Sequence, residues 1–211
     1  MTTETLLSTA HKTLLAPYSL DQNAIDHVFR QIMTHQVDYA DLYFQYSRSE
    51  DWSLEEGQVK SGSFHIGQGV GVRAVSGEKT AFAYSDDINL AALESAAHAT
   101  RAIALVGADM GVPAIRNGHG HDLYRPYDPI ASLPDADKIR LLETLEKYAR
   151  ALDPRIIQVM ASLAAEYDVV LVARNDGLMA ADVRPLVRLN IQVIAESNGR
   201  REQGYAGGGG R

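Results

Sequence analysis

Gly69-Val70-Gly71-Val72-Arg73-Ala74-Val75-Ser76-Gly77-Glu78-Lys79-Thr80-Ala81-Phe82-Ala83-Tyr84 is the stretch that decides the fold. Val70, Val72 and Ala74 recur at every second position, the period of a strand with one buried face. Ser76-Gly77 marks a hairpin, and Phe82 and Tyr84 return on the next strand, so the pairing is antiparallel. Upstream, Leu42, Phe44 and Tyr46 alternate with Tyr43, Gln45 and Ser47, predicting a strand that runs through Trp52 and Leu54 to a turn at Glu56-Gly57. These three strands form a meander. Before it, Ile25, Val28, Phe29, Ile32 and Met33 fall at helical spacing within 23–34, with Ser19 or Asp21 as cap. After it, Leu90, Leu93, Ala97, Thr100 and Ala104 predict a second helix, capped by Asp86, Asp87 or Asn89.

Residues 107–134 hold four of the seven prolines and no sustained period, so they read as a connector. Pro134 suits the first turn of a third helix, whose stripe is Ile139, Leu142, Leu145, Ala149 and Leu152, stopped by Asp153-Pro154. Strands are predicted over Ile156–Ala164 and Val169–Ala173, then an Asn175-Asp176-Gly177 turn, then Leu186–Glu196. Ser197-Asn198-Gly199 opens one more hairpin, whose return carries Arg200–Tyr205 and then the glycine run Gly207–Gly210 before Arg211. Four glycines in a row suit a connector or a close approach to a ligand, so the hairpin reads as unfinished and the chain as the front part of a longer protein. The expected class is α+β, an antiparallel meander and hairpins packed with three helices. Its expected parts are a helix-meander-helix portion at 1–106, the connector at 107–134, and a helix with antiparallel strands at 135–211.

The 211 residues are enough to bury a core without staples, and 45% hydrophobic with 22% charged residues is an ordinary globular composition. A net charge of −7 and a pI near 5.5 argue against a general nucleic-acid binder. No apolar run approaches a membrane span, and the N-terminus, with Glu4 before Lys12, lacks the layout of a signal peptide. With no cysteine there is no disulfide and no thiolate ligand, which is compatible with a reducing compartment; the expected location is the cytoplasm.

Little chemistry is visible in the motifs. None of the seven histidines precedes a glutamate, so the H-E-x-x-H helix of a zinc protease is absent, as is a G-x-S-x-G elbow. His119-Gly120-His121 lacks an assignable third ligand, and His65 and His98 read as structural. Gly67, Gly69 and Gly71 lie at period two inside a strand rather than in a turn leading to a helix, against a dinucleotide fingerprint. Glu50, Asp51, Glu55 and Glu56 read as a solvated acidic edge. Arg184 and Arg188, with Arg200 and Arg201 on a paired strand, suggest a basic patch beside the glycine run; an edge there suits an extended peptide. The competing reading pairs these arginines with Asp182, Glu196 and Glu202.

Asp38-Tyr39-Ala40-Asp41-Leu42-Tyr43-Phe44-Gln45, the Gly69–Tyr84 stretch, Asp182-Val183-Arg184-Pro185-Leu186-Val187-Arg188-Leu189 and Gly207–Arg211 together resemble the TldD branch of the TldD/PmbA metallopeptidase family. The resemblance implies a cytoplasmic zinc peptidase that works as a heterodimer with a homologous non-catalytic sister subunit. It implies cutting of unfolded or extended peptides in a closed chamber, including maturation of microcin-type precursors and degradation of antitoxins. In that family the metal sits on an H-E-x-x-x-H helix and a later cysteine, beyond the glycine-rich segment. This sequence has neither, so no catalytic and no metal residue is carried over and the 211 residues alone are expected to be inactive. Substrate-groove candidates are Arg184, Arg188, Gly208, Gly209 and Arg211. The alternative is a stand-alone, non-enzymatic module that binds peptides or a partner.

Overall fold

A computed structural model describes residues 3–34, 36–101, 116–118 and 123–211. Its elements are α1 (Thr3–Ala10), a π-helical turn (His11–Leu15), a 3-10 turn (Ala16–Tyr18), α2 (Gln22–Met33), β1 (Tyr39–Glu55), β2 (Gln58–Ser76), β3 (Lys79–Ser85), α3 (Leu90–Arg101), β4 (Arg116–Asn117), α4 (Asp135–Leu152), β5 (Ile156–Arg174), β6 (Leu178–Ser197) and β7 (Arg200–Gly210). The strand order is β3-β2-β1-β5-β6, with β4 and β7 both pairing with β6. This is the expected α+β class, with a helix at the N-terminus that the sequence patterns did not disclose. Contacts divide the chain into two compact units, and the long strands β1, β2, β5 and β6 run from one into the other.

The first unit draws on residues 1–47, 67–123 and 168–183. Asp21 caps α2 by accepting a hydrogen bond from the Ala24 amide at 2.8 Å, and Asn89 does the same for α3 through the Ala92 amide, also at 2.8 Å. α2 buries Ile25, Val28, Phe29, Ile32 and Met33, while α3 buries Leu93, Ala96, Ala97 and Thr100. Their sheet supplies Ala40, Leu42 and Phe44 from β1 and Val70, Val72 and Ala74 from β2 to the core, the alternating positions of the sequence. Phe82 and Tyr84 are exposed on the edge strand β3, opposite Arg73 and Gly71. Gly67, Gly69 and Gly71 all lie within β2, which leads into β3 and not into a helix. β4 is a two-residue parallel pairing with Leu178 and Met179. The His119–His121 pair, Ala104 and much of 107–134 lie outside the described residues.

The second unit draws on residues 48–66, 124–167 and 184–211. Its core joins Leu54, Leu142, Ala161 and Leu163, with Trp52, Leu145, Val187 and Leu189 packed against them. Two expectations need correction here. α4 buries Lys138 and Glu146 beside Leu142 and Ala149, whereas Leu152, expected in the stripe, is exposed. Glu50, expected on a solvated edge, is only 4% exposed. The Lys138 ammonium lies 2.7 Å from Glu50 Oε1 and donates to the Ile130 carbonyl at 2.9 Å, and Glu146 pairs with Arg150 at 3.0 Å, so each of these buried charges has its partner. Arg48 likewise pairs with Asp128 and stands over the Tyr167 ring at 5.2 Å. Burial raises the Tyr167 hydroxyl above its ordinary value, with the Asp128 charge adding to it.

β5 is continuous where the sequence suggested two strands. β6 extends through Pro185, which falls between the end of the β4 pairing at Met179 and the start of the β7 pairing at Val187, where, among the described residues, β6 has neither of these neighbours to donate to. The glycine run is also corrected: Gly207–Gly210 are strand, and β7 pairs with β6 over all eleven of its residues. Asn198 and Gly199, with φ of 53° and 77°, form the two-residue turn that matches the strand twist.

Candidate edge-strand groove

Counting from the Asn198-Gly199 turn, the register sets Arg188 opposite Gly209, Asn190 opposite Gly207 and Gln192 opposite Tyr205. β7 is exposed along its whole length, and among the described residues its strand partner is β6 alone. It therefore presents a row of backbone donors and acceptors on its outer side. A surface groove of about 370 Å³ lies at the C-terminal half of β7 and the part of β6 paired with it, lined by Leu186, Val187, Arg188, Tyr205 and Gly207–Gly210.

One side-chain cluster organises the groove. Arg188 donates from Nε to Asn190 Oδ1 and from Nη2 to the Tyr205 hydroxyl, each at 3.0 Å, and that hydroxyl donates to Asn190 Oδ1 at 2.6 Å. The Tyr205 hydrogen bond raises the Arg188 guanidinium above its ordinary value, so it is charged throughout the working pH range. The glycines make room for this arrangement. A Cβ at Gly207 would lie 2.6 Å from Asn190 Oδ1 and 2.9 Å from the Tyr205 hydroxyl, and one at Gly209 would collide with the Val187 carbonyl. A Cβ at Gly208 would meet nothing.

Of the sequence candidates, Arg188, Gly208 and Gly209 meet in this groove, while Arg184 and Arg211 do not line it. Arg184 is half-buried on β6 with an interaction of its own, and Arg211 stands over the Tyr124 ring at 5.7 Å. The expected patch with Arg200 and Arg201 is not formed. They sit at the turn end, where Arg201 pairs with Glu196 and Arg200 with Glu202, opposite positions eight and nine residues, or roughly 26–30 Å, along β6 from Arg188. Asn190 and Tyr205 were missed, although the turn register would have brought them together.

In the first unit a cluster of charged groups has structural partners. Tyr39 lies between the guanidiniums of Arg73 and Arg174, at 5.4 and 5.5 Å. Burial raises its hydroxyl, and a hydrogen bond to the buried Asp41 adds to the rise. Arg73 is in turn paired to Asp41. His27 joins α2 to α3 through Glu94 at 3.0 Å, while His65 and His98 are exposed. Among the described residues no three His, Asp or Glu side chains converge as metal ligands, so they offer no fit for a zinc ion. No described helix is long and apolar enough to cross a membrane.

Residues 40–104 match the family model of PmbA/TldA metallopeptidase domain 1, and residues 128–211 match that of the PmbA/TldA metallopeptidase central domain. The chain belongs to the PmbA/TldD family. A metalloprotease TldD homolog from Haemophilus influenzae is 48% identical over 209 residues, covering 98% of this chain but 43% of the relative. The chain thus spans less than half the length of that curated TldD relative. Among solved structures, a proposed modulator of DNA gyrase from Thermotoga maritima aligns with a TM-score of 0.71 at 14% identity, over 90% of this chain and 43% of its own. TldE from Thermococcus kodakarensis aligns at 0.65 and 14% identity, over 88% of this chain and 42% of its own. At such identities the likeness to these two shows the fold alone.

Proposed function

We propose that these residues form the non-catalytic part of a cytoplasmic zinc metallopeptidase, and that β7 is where an extended or unfolded peptide is held. The observation that carries this reading is an exposed strand of eleven residues that, among the described residues, is paired on one side only. A peptide would add to it by main-chain hydrogen bonds, a mode indifferent to most side chains and therefore suited to precursors of the microcin type and to unfolded antitoxins. Arg184, Arg188, Gly208, Gly209 and Arg211 remain the proposed groove residues, with Arg184 and Arg211 flanking it. The zinc and its general base belong to residues outside these 211, and the partner is a homologous, non-catalytic sister subunit in a heterodimer. Likeness in fold to TldE supports a partner built on the same plan.

The test uses the longer protein with its sister subunit and an unstructured fluorogenic peptide. Cleavage should be lost with a chelator and restored by zinc, and N-methylation of alternate peptide amides should raise KM. The 211-residue chain with zinc should cleave nothing. Cleavage indifferent to N-methylation would remove β7 from the reading, and zinc-dependent cleavage by the short chain would overturn the assignment of the catalytic centre elsewhere.

A further inference from the structure

Arg188 differs from Arg200 and Arg201, on the same hairpin, in what balances its charge. Arg200 and Arg201 pair with Glu202 and Glu196, whereas Arg188 is held by two neutral groups, the Asn190 side-chain oxygen and the Tyr205 hydroxyl. No carboxylate among the described residues pairs with it. These two bonds use the Nε proton and one on Nη2, leaving three of the five guanidinium donors uncommitted. The holding groups also fix the plane of the guanidinium, which lowers the ordering cost of a planar, bidentate contact. The glycine opposite Asn190 is part of the same device, since any side chain at position 207 would break the clamp.

Resting on the strand-addition reading above, we infer that Arg188 is a carboxylate anchor in the β7 groove, held by Asn190 and Tyr205, and that the bound peptide presents a carboxylate at this point. A carboxylate fits because it is planar and accepts two parallel N–H bonds from one guanidinium. It comes either from the peptide's C-terminus or from an Asp or Glu side chain. The groove thus reads one feature of an otherwise sequence-tolerant ligand, and Arg188 is its specificity determinant.

Three fluorescein-labelled peptides of the same unstructured sequence test this against the purified chain by anisotropy at low salt: a neutral C-terminal amide, the same peptide with a free C-terminus, and the amide with one internal Glu. One or both carboxylate forms should bind about tenfold tighter than the neutral form, and which one does so identifies the source. Arg188→Met should erase that difference, so that the three peptides bind alike, with circular dichroism confirming the fold. Tyr205→Phe, which loosens the clamp but keeps the charge, should reduce the preference about threefold. If binding is weakened by N-methylation yet shows no carboxylate preference, or if Arg188→Met leaves the preference intact, the anchor is wrong and strand addition stands. If N-methylation weakens none of the three, or none binds, strand addition itself fails and takes the anchor with it.

Discussion

The two units cover their parts of the sheet by different means. The first lays α2 and α3 down with apolar faces, Ile25, Val28, Phe29 and Ile32 from one and Leu93, Ala96 and Ala97 from the other. The second lays down α4, whose buried face carries Lys138 and Glu146 between its apolar residues. Burying an apolar face is favourable on its own, whereas a buried lysine is tolerated only while Glu50 and the Ile130 carbonyl stand beside it. The first packing should therefore fail in proportion to the volume removed, and the second according to whether a charge is left alone.

The largest effects test that difference. Lys138→Met should cost about 3–5 kcal/mol, because it strands the Glu50 carboxylate in the interior, and adding Glu50→Leu should recover most of the loss. Thermal unfolding of the single and double variants measures this. A single variant within about 1 kcal/mol of the parent would erase the contrast between the units. Phe29→Ala in the first unit should cost about 3–5 kcal/mol as well, with no charge to rescue it. Hydrogen exchange should then rise in 22–33 for Phe29→Ala and in 135–152 for Lys138→Met.

A smaller effect concerns the helix ends. α2 starts on the Asp21 carboxylate, while α4 starts on Pro134 with no side-chain cap. Asp21→Ala should cost about 1 kcal/mol by urea denaturation, and Pro134→Ala should cost clearly less.

The smallest is a pH effect on the second unit. Asp153, at the C-terminal end of α4, is held at about 2 against an ordinary 3.8, chiefly by the Arg155 guanidinium and also by the Arg155 amide. Because the folded value is the lower, its contribution is present above pH 4 and is lost as the pH falls through 2. NMR titration of the Asp153 carboxyl should show this low midpoint, and Arg155→Ala should return it towards the ordinary value. An unchanged midpoint would exclude Arg155 as the cause.

The meander, the later hairpins and three of the helices were legible because each rests on local signals. Glu56-Gly57, Gly77 and Asn198-Gly199 all have the positive φ of tight turns, and the strands between them alternate cleanly. Glu50 and Lys138 were not legible, since nothing local marks a charge that meets its partner 88 residues away. β4 escaped for a similar reason: a two-residue parallel pairing has no period to detect. At the candidate site, Arg188 and the glycines were found by type. Asn190 and Tyr205 emerge only when the register of β6 and β7 is laid out, and the same register separates Arg188 from Arg200 and Arg201.

The glycine run has a kinetic meaning as well as a spatial one. Gly208 and Gly210 bring no side chain to a strand laid along β7, so contact there is confined to the main chain. A strand added here would therefore gain no side-chain contact at these positions to slow its dissociation, the step in which most affinity differences lie. Short residence is what a surface needs if it must take up one chain after another and let each of them go.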